Sequence, residues 1–177
     1  MKKILLLFTI LFMSVITTAC INNYAIQELN NKAKAYIDKG ETETAICRLK
    51  TSLDLDDNIY QTHYNLAIAY IALDRHEDAM EELKKTLELK PDFYEAFYTI
   101  ATVKETIAYN SIETEEEVTE TQAALFNHLA QEAVDAYNEY LVKDIKADDT
   151  TEVNNKITEL NAKIKSYIEK FDLDDEV

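Results

Sequence analysis

Apolar residues recur every three or four positions along most of the chain, which is the spacing of an amphipathic α-helix. The stretch "YNLAIAYIALDRHEDAMEELKKTLELKPD", residues 64–92, contains one such run, a polar break, a second run and then the only proline of the chain. The pattern predicts a pair of helices joined by a short turn. We interpret the pair as one unit of a stacked helical scaffold.

The last periodic segment predicts one long helix from about Thr150 to Phe171. Its apolar stripe consists of residues three or four positions apart, namely Val153, Ile157, Leu160, Ile164, Ile168 and Phe171. The opposite face is expected to carry Glu152, Lys156, Lys163 and Glu169. Such a helix can close the open end of a helical stack. The alternative, a dimerising coiled coil, is disfavoured by the small number of heptads.

The composition supports an all-α fold. The 177 residues include one glycine and one proline, whereas sheets and hairpins need Gly, Asn-Gly or Pro at their turns. With 47% apolar residues, a chain of this length suits one domain with a hydrophobic core. The scarcity of glycine also excludes the glycine-rich phosphate loops of kinases, NTPases and Rossmann enzymes.

The charge balance argues against nucleic acid as a partner. The chain has 18 Lys and Arg against 34 Asp and Glu, a net charge of −16. This charge repels polyanions, and the chain offers no basic stripe for counterion release. We interpret the excess of acids as a solvated surface.

The N-terminal segment "MKKILLLFTILFMSVITTAC" has the layout of a secretory signal peptide. Lys2 and Lys3 precede an apolar run from Ile4 to Ile16, and small residues lead to Cys20. The run is shorter than the roughly 20 residues of a membrane-spanning helix. An uncleaved signal anchor is the alternative.

The end of this segment, "TTAC", resembles the bacterial lipobox, in which the peptidase cuts just before a diacylated cysteine. The resemblance implies that residues 1–19 are a lipoprotein signal peptide, that Cys20 carries the lipid and that residues 20–25 form a short tether. Two or more acyl chains anchor a protein stably. We therefore expect a protein of the bacterial cell envelope, lipid-anchored to a membrane, and to the outer membrane in a cell that has two.

The second cysteine, Cys47, lies on a predicted helix among Ala45, Ile46 and Leu49. These apolar neighbours predict that its thiol is buried and inert.

A pattern repeats every 34 residues, in windows 26–59 and 60–93 and in a third that starts at residue 94. The second window carries it on Leu66, Ala67, Tyr70, Ala79, Leu83, Leu87 and Pro91. The first window repeats it with Ala33, Tyr36, Ala45, Leu49 and Leu53. The third begins with Phe97, Ile100 and Ala101 but has Lys104 where a tyrosine is expected. This pattern resembles the tetratricopeptide repeat (TPR), which implies an all-α solenoid of helical hairpins with about three TPR units and a C-terminal capping helix.

The third unit, residues 94–147, departs from the pattern by an acidic insertion near residues 110–122. We interpret "NSIETEEEVTETQ" as a solvated linker, with a calcium or partner site as the alternative. A helix extension through Ala123 and Phe126 is expected to follow it. Residues 148–177 then form the capping helix and an acidic tail.

Two local signals mark the helix ends. Gly40 stands where the first helix should end in a left-handed residue. Asp74, with Glu77 three residues later, resembles a capping box that would start a helix running to about Lys90.

The TPR resemblance also implies a binding surface, because the first helix of each hairpin in that family lines a concave groove that holds an extended peptide or a partner's helix. Carried over by repeat position, the groove consists of Gln27, Asn30, Asn31, Lys34, Gln61, Tyr64, Asn65, Ile68, Ile71, Glu95, Tyr98, Thr99, Thr102 and Glu105. Some relatives hold a C-terminal carboxylate with a Lys/Asn/Lys/Arg clamp; here Asn65 matches and the positive charges do not. Tyr64 and Tyr98 suit peptide binding, with packing between repeats as their alternative role.

No residue pattern indicates an enzyme, a metal site or a cofactor. His63, His76 and His128 are scattered, without HExxH or a cysteine partner at metal spacing. The sequence therefore predicts a membrane-tethered scaffold that binds a peptide or helix of a partner protein in cell-envelope assembly, with the oligomeric state open. The alternative is a structural subunit that oligomerises or docks through its convex face or its C-terminal helix.

Overall fold

The computed structural model describes residues 22–112, 117–143 and 149–173, and every regular element within them is an α-helix. The helices are α1 (residues 22–37), α2 (Thr42–Leu55), α3 (Tyr60–Ile71), α4 (His76–Leu89), α5 (Tyr94–Asn110), α6 (Glu120–Lys143) and α7 (Thr150–Phe171). The predicted all-α fold class of helical hairpins is confirmed. The chain divides into two compact units, with the boundary between Lys85 and Thr86 inside α4; we call them the N-terminal and C-terminal units.

The predicted signal peptide, residues 1–19, and the predicted lipidation site, Cys20, lie outside the described residues. The chain is already helical at residue 22, so residues 22–25 belong to α1 and not to an extended tether. Among the described helices, none combines the length and the apolar character that crossing a bilayer requires.

The buried face of α2 contributes to the core of the N-terminal unit. Ala45, Ile46 and Leu49 are at most 5% exposed, as the helical spacing predicts. The expectation of a buried Cys47 is wrong, because this cysteine is exposed. At 3.6 residues per turn, position 47 lies about 200° around the helix from position 45, which turns the thiol toward solvent.

The helices α1 and α3 end in the same way, 34 residues apart. Gly40 has a φ of 77° and Asp74 a φ of 55°. In each turn, the amide of the next residue donates to the carbonyl oxygen of the repeat's tyrosine, Tyr36 at 2.9 Å and Tyr70 at 3.0 Å. The left-handed residue predicted at Gly40 is confirmed.

The predicted capping box at Asp74 is wrong. Asp74 belongs to the left-handed turn after α3, whereas an N-cap residue needs extended backbone, and α4 begins two residues later at His76. Arg75 instead binds Asp78 in the first turn of α4, with 2.7 Å between Nε and Oδ2. The Arg75 guanidinium also lies 4.4 Å from the ring centroid of Tyr70.

The core of the C-terminal unit lies between α5, α6 and α7. α5 packs on α6, and α6 packs on α7. Ala101 on α5 and Ala130 and Ala133 on α6 are fully buried, and side chains this small allow the helix backbones to approach closely. The buried rings of Phe126 and Tyr137 fill the remaining volume.

Much of the insertion in the third hairpin lengthens its helices. α5 has 17 residues and α6 has 24, compared with 12 in α3 and 14 in α4. The helix extension predicted through Ala123 and Phe126 is confirmed, and both residues are buried. Lys104, which replaces the repeat tyrosine, binds Glu132 on α6 with 2.7 Å between Nζ and Oε2. Residues 113–116 of the predicted acidic linker lie outside the described residues.

The capping helix α7 has the predicted bounds, Thr150–Phe171. Val153, Leu160 and Ile164 of its apolar stripe are buried in the core cluster of the C-terminal unit. The stripe is therefore covered within this chain, which is the behaviour expected of a capping helix and not of a free coiled-coil strand.

Two lysines that the sequence assigns to the polar face of α7 make contacts within the C-terminal unit instead. Lys156 Nζ donates to Glu105 Oε2 at 2.9 Å. Lys163 Nζ lies 5.5–5.9 Å from the ring centroids of Tyr109, Phe126 and Tyr167. The long methylene stems of lysine let both charges reach back over the packed surface, which the helical spacing of charges does not predict.

Candidate binding faces

Hydrogen bonds between side chains hold α1 and α3 side by side. Asn65 Nδ2 on α3 donates to Asn30 Oδ1 on α1 at 2.8 Å. Asn30 Nδ2 in turn lies 2.9 Å from Thr62 Oγ1 and 3.1 Å from Ser52 Oγ. We call these four residues the amide–hydroxyl cluster. It fixes the relative position of α1, α2 and α3.

The cluster gives two predicted groove residues, Asn30 and Asn65, an internal role. Both hydroxyl residues of the cluster, Ser52 and Thr62, are fully buried. An unpaired buried hydroxyl costs about 1–3 kcal/mol, so the Asn30 amide stabilises this packing. No local sequence pattern indicates the cluster, because its members lie on three helices.

The α1/α3 face surrounds this cluster and carries the other predicted groove residues of the N-terminal unit. Gln27, Lys34 and Gln61 are exposed, and Tyr64 and Ile68 are half-buried. The face combines amides, an aromatic ring, an aliphatic side chain and one positive charge. These groups can hydrogen-bond to a peptide main chain and cover an apolar side chain.

In the C-terminal unit, Tyr98 packs against α6. Its ring makes edge contacts with Tyr140 at 5.4 Å and with Tyr137 at 6.1 Å between centroids. Burial, followed by the negative charge of Glu152, raises the pKa of Tyr98. These contacts lie within the third hairpin, whereas the alternative role for this tyrosine was packing between repeats.

Thr99 and Thr102 also make internal contacts. Thr99 is buried, and its hydroxyl donates to the Glu95 carbonyl oxygen at 2.7 Å. The half-buried Thr102 donates to the Thr99 carbonyl oxygen at 2.8 Å. For Thr99 the structure differs from the expectation of a groove-lining side chain, because its place on α5 faces the core.

A polar triad of Glu105, Tyr137 and Lys156 joins all three long helices of the C-terminal unit. Tyr137 and Lys156 both donate to Glu105 Oε2. Burial, then the hydrogen bond to Glu105, raises the pKa of Tyr137. Burial acts to lower the pKa of Lys156, but the hydrogen bond and the charge of Glu105 outweigh it, so this pKa is raised.

Sequence reasoning missed this triad. It assigned Glu105 to the groove and Lys156 to the polar face of α7. The partners of Glu105 are 32 and 51 positions away along the chain, so no local pattern could have paired them. Within the described ranges, no group of three or more His, Cys, Asp or Glu residues is placed to hold a metal ion.

Residues 32–102 match the model of the tetratricopeptide repeat family. Among curated proteins, none matches the sequence. Solved TPR domains have a similar fold. The TPR2B domain of yeast Sti1, in its pHsp70 complex, has a TM-score of 0.61 and 15% identity, covering 78% of this chain and 98% of that chain.

Two TPR domains of human RPAP3 are similar in the same way. The first has a TM-score of 0.61 and 16% identity, covering 82% of this chain and 97% of its own. The second, in complex with the HSP70 peptide SGPTIEEVD, has a TM-score of 0.58 and 14% identity, covering 79% of this chain and 98% of its own. At such identities the likeness establishes the fold alone.

Proposed function

We propose that this chain, which has the fold of tetratricopeptide-repeat domains, is a binding scaffold that holds a segment of a partner protein on its α1/α3 face. The observation that carries the proposal is the face itself. The Asn65–Asn30 hydrogen bond joins the two helices, while Gln27, Lys34 and Gln61 remain exposed beside it. Similar folds in complex with HSP70 peptides support a peptide as the ligand.

The ligand we propose is an internal segment of a protein and not a free C-terminal carboxylate. In the family, the carboxylate clamp uses several positive charges, whereas Lys34 is the one cation among the predicted groove residues of the N-terminal unit. The Asn30 amide is held by Ser52 and Thr62. We therefore expect the peptide SGPTIEEVD, a ligand of the second RPAP3 domain, not to bind this chain.

We further propose that the scaffold is tethered to a membrane of the bacterial cell envelope through a lipid on Cys20. The support is the lipobox-like "TTAC" after an apolar run that is too short to span a bilayer. A Cys20→Ala variant is expected to move from the membrane fraction to the soluble fraction. Retention of this variant in the membrane would instead indicate an uncleaved signal anchor.

Crosslinking in cells, followed by mass spectrometry, tests the binding face. A Gln61→Ala, Tyr64→Ala double variant shortens two side chains of the α1/α3 face and leaves the amide–hydroxyl cluster intact. A Glu43→Ala, Arg48→Ala double variant on the exposed side of α2 is the matched control. We expect the first to lose its partner crosslinks and the second to keep them. Equal crosslinking by both would contradict the proposed face.

The alternative function, a structural subunit of an envelope complex, is favoured by exposed apolar side chains on α6. Val142 is 75% exposed and Leu125 is 49% exposed. A subunit that assembles through α6 would show a solution mass that rises with concentration. Val142→Lys would abolish this rise, whereas the Gln61→Ala, Tyr64→Ala variant would not.

A further inference from the structure

His63 on α3 is a buried histidine with two acceptors. Its side chain is 8% exposed. Nδ1 lies 2.6 Å from Glu82 Oε2 on α4, and Nε2 lies 2.9 Å from the carbonyl oxygen of Asp57 in the turn before α3. One imidazole therefore joins α3 to α4 and to the preceding turn.

The two contacts of His63 require two protons. A carbonyl oxygen accepts hydrogen bonds only, and so does an ionised carboxylate. A neutral imidazole has one N–H and can serve one of these two partners. Both contacts are satisfied when the ring is doubly protonated, or when Glu82 carries the proton that it shares with Nδ1. In either form the pair holds one proton more than a neutral histidine beside an ionised glutamate.

We propose that the His63–Glu82 pair is a proton-dependent clasp between α3, α4 and the turn at Asp57. Histidine changes its charge between about pH 5 and 8. When the shared proton is lost, the one N–H of the neutral ring serves either Glu82 or the Asp57 carbonyl oxygen, and at the other contact, of 2.9 Å or 2.6 Å, a ring lone pair faces an oxygen lone pair. The clasp opens at this contact, and the N-terminal unit becomes less stable as the pH rises.

The charges near the ring match this assignment. On α4, Glu82 faces the ring directly, and Lys85 follows one turn later; both make further polar interactions. In the turn, the Asp56 and Asp57 carboxylates accept hydrogen bonds from Asn58. The buried residues of α2 carry no charge. Glu82 is thus the carboxylate in direct contact with the imidazole.

The clasp differs from the hydrogen bonds that Thr62 and Asn65 of α3 make. Thr62 and Asn65 connect α3 to α1 and α2 through hydroxyl and amide groups, which do not titrate. His63 lies between them and provides a contact that depends on a proton. The inference stands independently of ligand binding on the α1/α3 face, because its readout is the stability of the free protein.

Thermal unfolding of the full chain at pH 5.5 and pH 8.5 tests the clasp. We expect His63→Gln to lower Tm relative to wild type by about 2–4 °C more at pH 5.5 than at pH 8.5, a shift equivalent to roughly one hydrogen bond in a chain of this size. His128→Gln is the matched control, because His128 is 66% exposed and 3.4 Å from Glu132. Its effect on Tm should differ less between the two pH values than that of His63→Gln, because an exposed ion pair contributes little to stability. His76 is retained in every variant.

If His63→Gln fails to fold, the variant Glu82→Gln provides a second test of the proposal. A glutamine amide can donate to the lone pair of a neutral ring, which leaves the ring N–H for Asp57. We expect this variant to lose stability relative to wild type at pH 5.5 and to recover it at pH 8.5. A loss of Tm that is equal at both pH values, or larger at pH 8.5, in either variant would overturn the proposal.

Discussion

Gly40 is the residue at which backbone conformation constrains the sequence most directly. Its φ is 77°, and a Cβ built there would meet no atom within 4 Å. The cost of a side chain is therefore backbone strain without a clash. We predict that Gly40→Ala lowers the free energy of unfolding by about 1 kcal/mol, measured by denaturant unfolding.

Asp74 provides the matched control for this prediction, because it occupies the equivalent turn with a φ of 55°. Asp74→Gly relieves the left-handed strain while adding freedom to the unfolded chain. We expect its free energy of unfolding to stay within about 0.5 kcal/mol of wild type. A loss in Asp74→Gly as large as that in Gly40→Ala would show that strain is not the cause.

Asn127 on α6 is a polar side chain without a described partner. It is 1% exposed, and neither Nδ2 nor Oδ1 makes a hydrogen bond with the part of the chain that the structure describes. A buried unsatisfied polar group costs about 1–3 kcal/mol. We predict that Asn127→Leu raises the free energy of unfolding by about 1 kcal/mol in denaturant titrations.

The comparison variant is Asn30→Leu, which makes the same chemical change where the amide is hydrogen-bonded. It removes the amide that donates to Ser52 and Thr62, whose hydroxyls keep their mutual hydrogen bond at 3.3 Å, and it removes the acceptor of Asn65. We expect a loss of about 1–3 kcal/mol. Changes of the same sign in both asparagine variants would refute the hydrogen-bond explanation.

At the scale of elements, α7 closes the C-terminal unit through its apolar stripe. Leu160 is fully buried at its centre. We predict that Leu160→Ala lowers the free energy of unfolding by about 2–5 kcal/mol, with loss of the near-ultraviolet circular dichroism of the packed tyrosines. The exposed neighbour substitution Asn161→Ala should stay within about 0.5 kcal/mol of wild type; if it matched Leu160→Ala, burial would not be the cause.

The helical elements were predictable from the sequence because their burial follows a local period. The bounds of α7 and the burial of its Val153, Leu160 and Ile164 follow directly from apolar spacing. The contacts between helices could not be predicted from this spacing. Asp74 satisfies the composition of a capping box, yet its φ of 55° places it in a left-handed turn, which the Arg75 amide closes by donating to the Tyr70 carbonyl oxygen. Local composition could not show which of these two roles would prevail.

The sequence predicted the position of the candidate site better than it predicted the roles of the individual residues. Repeat spacing placed Gln61 and Tyr64 together on one helix, but it also placed Thr99 on the binding surface, whereas this side chain is buried. Repeat position alone does not show which side chains of α5 turn inward, because Thr99 bonds to the backbone of its own helix.

At the scale of the whole molecule, the tyrosines indicate that the free energy of unfolding decreases at alkaline pH. The pKa values of Tyr98, Tyr109, Tyr137 and Lys156 are raised in the folded state. Unfolded tyrosine and lysine ionise near pH 10 and 10.4, respectively. The four groups therefore contribute stability that is complete below about pH 10 and is lost as the pH rises through the folded values. Unfolding followed by tyrosinate absorbance should show this decline.

Tyr137→Phe separates this effect from general charge repulsion. The variant removes one hydrogen bond to Glu105, so we expect a loss of about 1 kcal/mol at neutral pH. Because phenylalanine does not ionise, its stability should then decline less steeply than wild type at alkaline pH. Parallel curves for the two proteins would assign the decline to net charge.

The matching turns at Gly40 and Asp74 have a consequence for how the gene can change. Residues 41–74 run from just after one left-handed turn to the end of the next, so the two ends of this cassette meet the chain with the same backbone geometry and the same closing hydrogen bond. If the codons of this cassette were duplicated in tandem, the protein would already have a suitable turn at each junction. The protein can therefore lengthen or shorten by whole hairpins without a new turn having to arise by mutation.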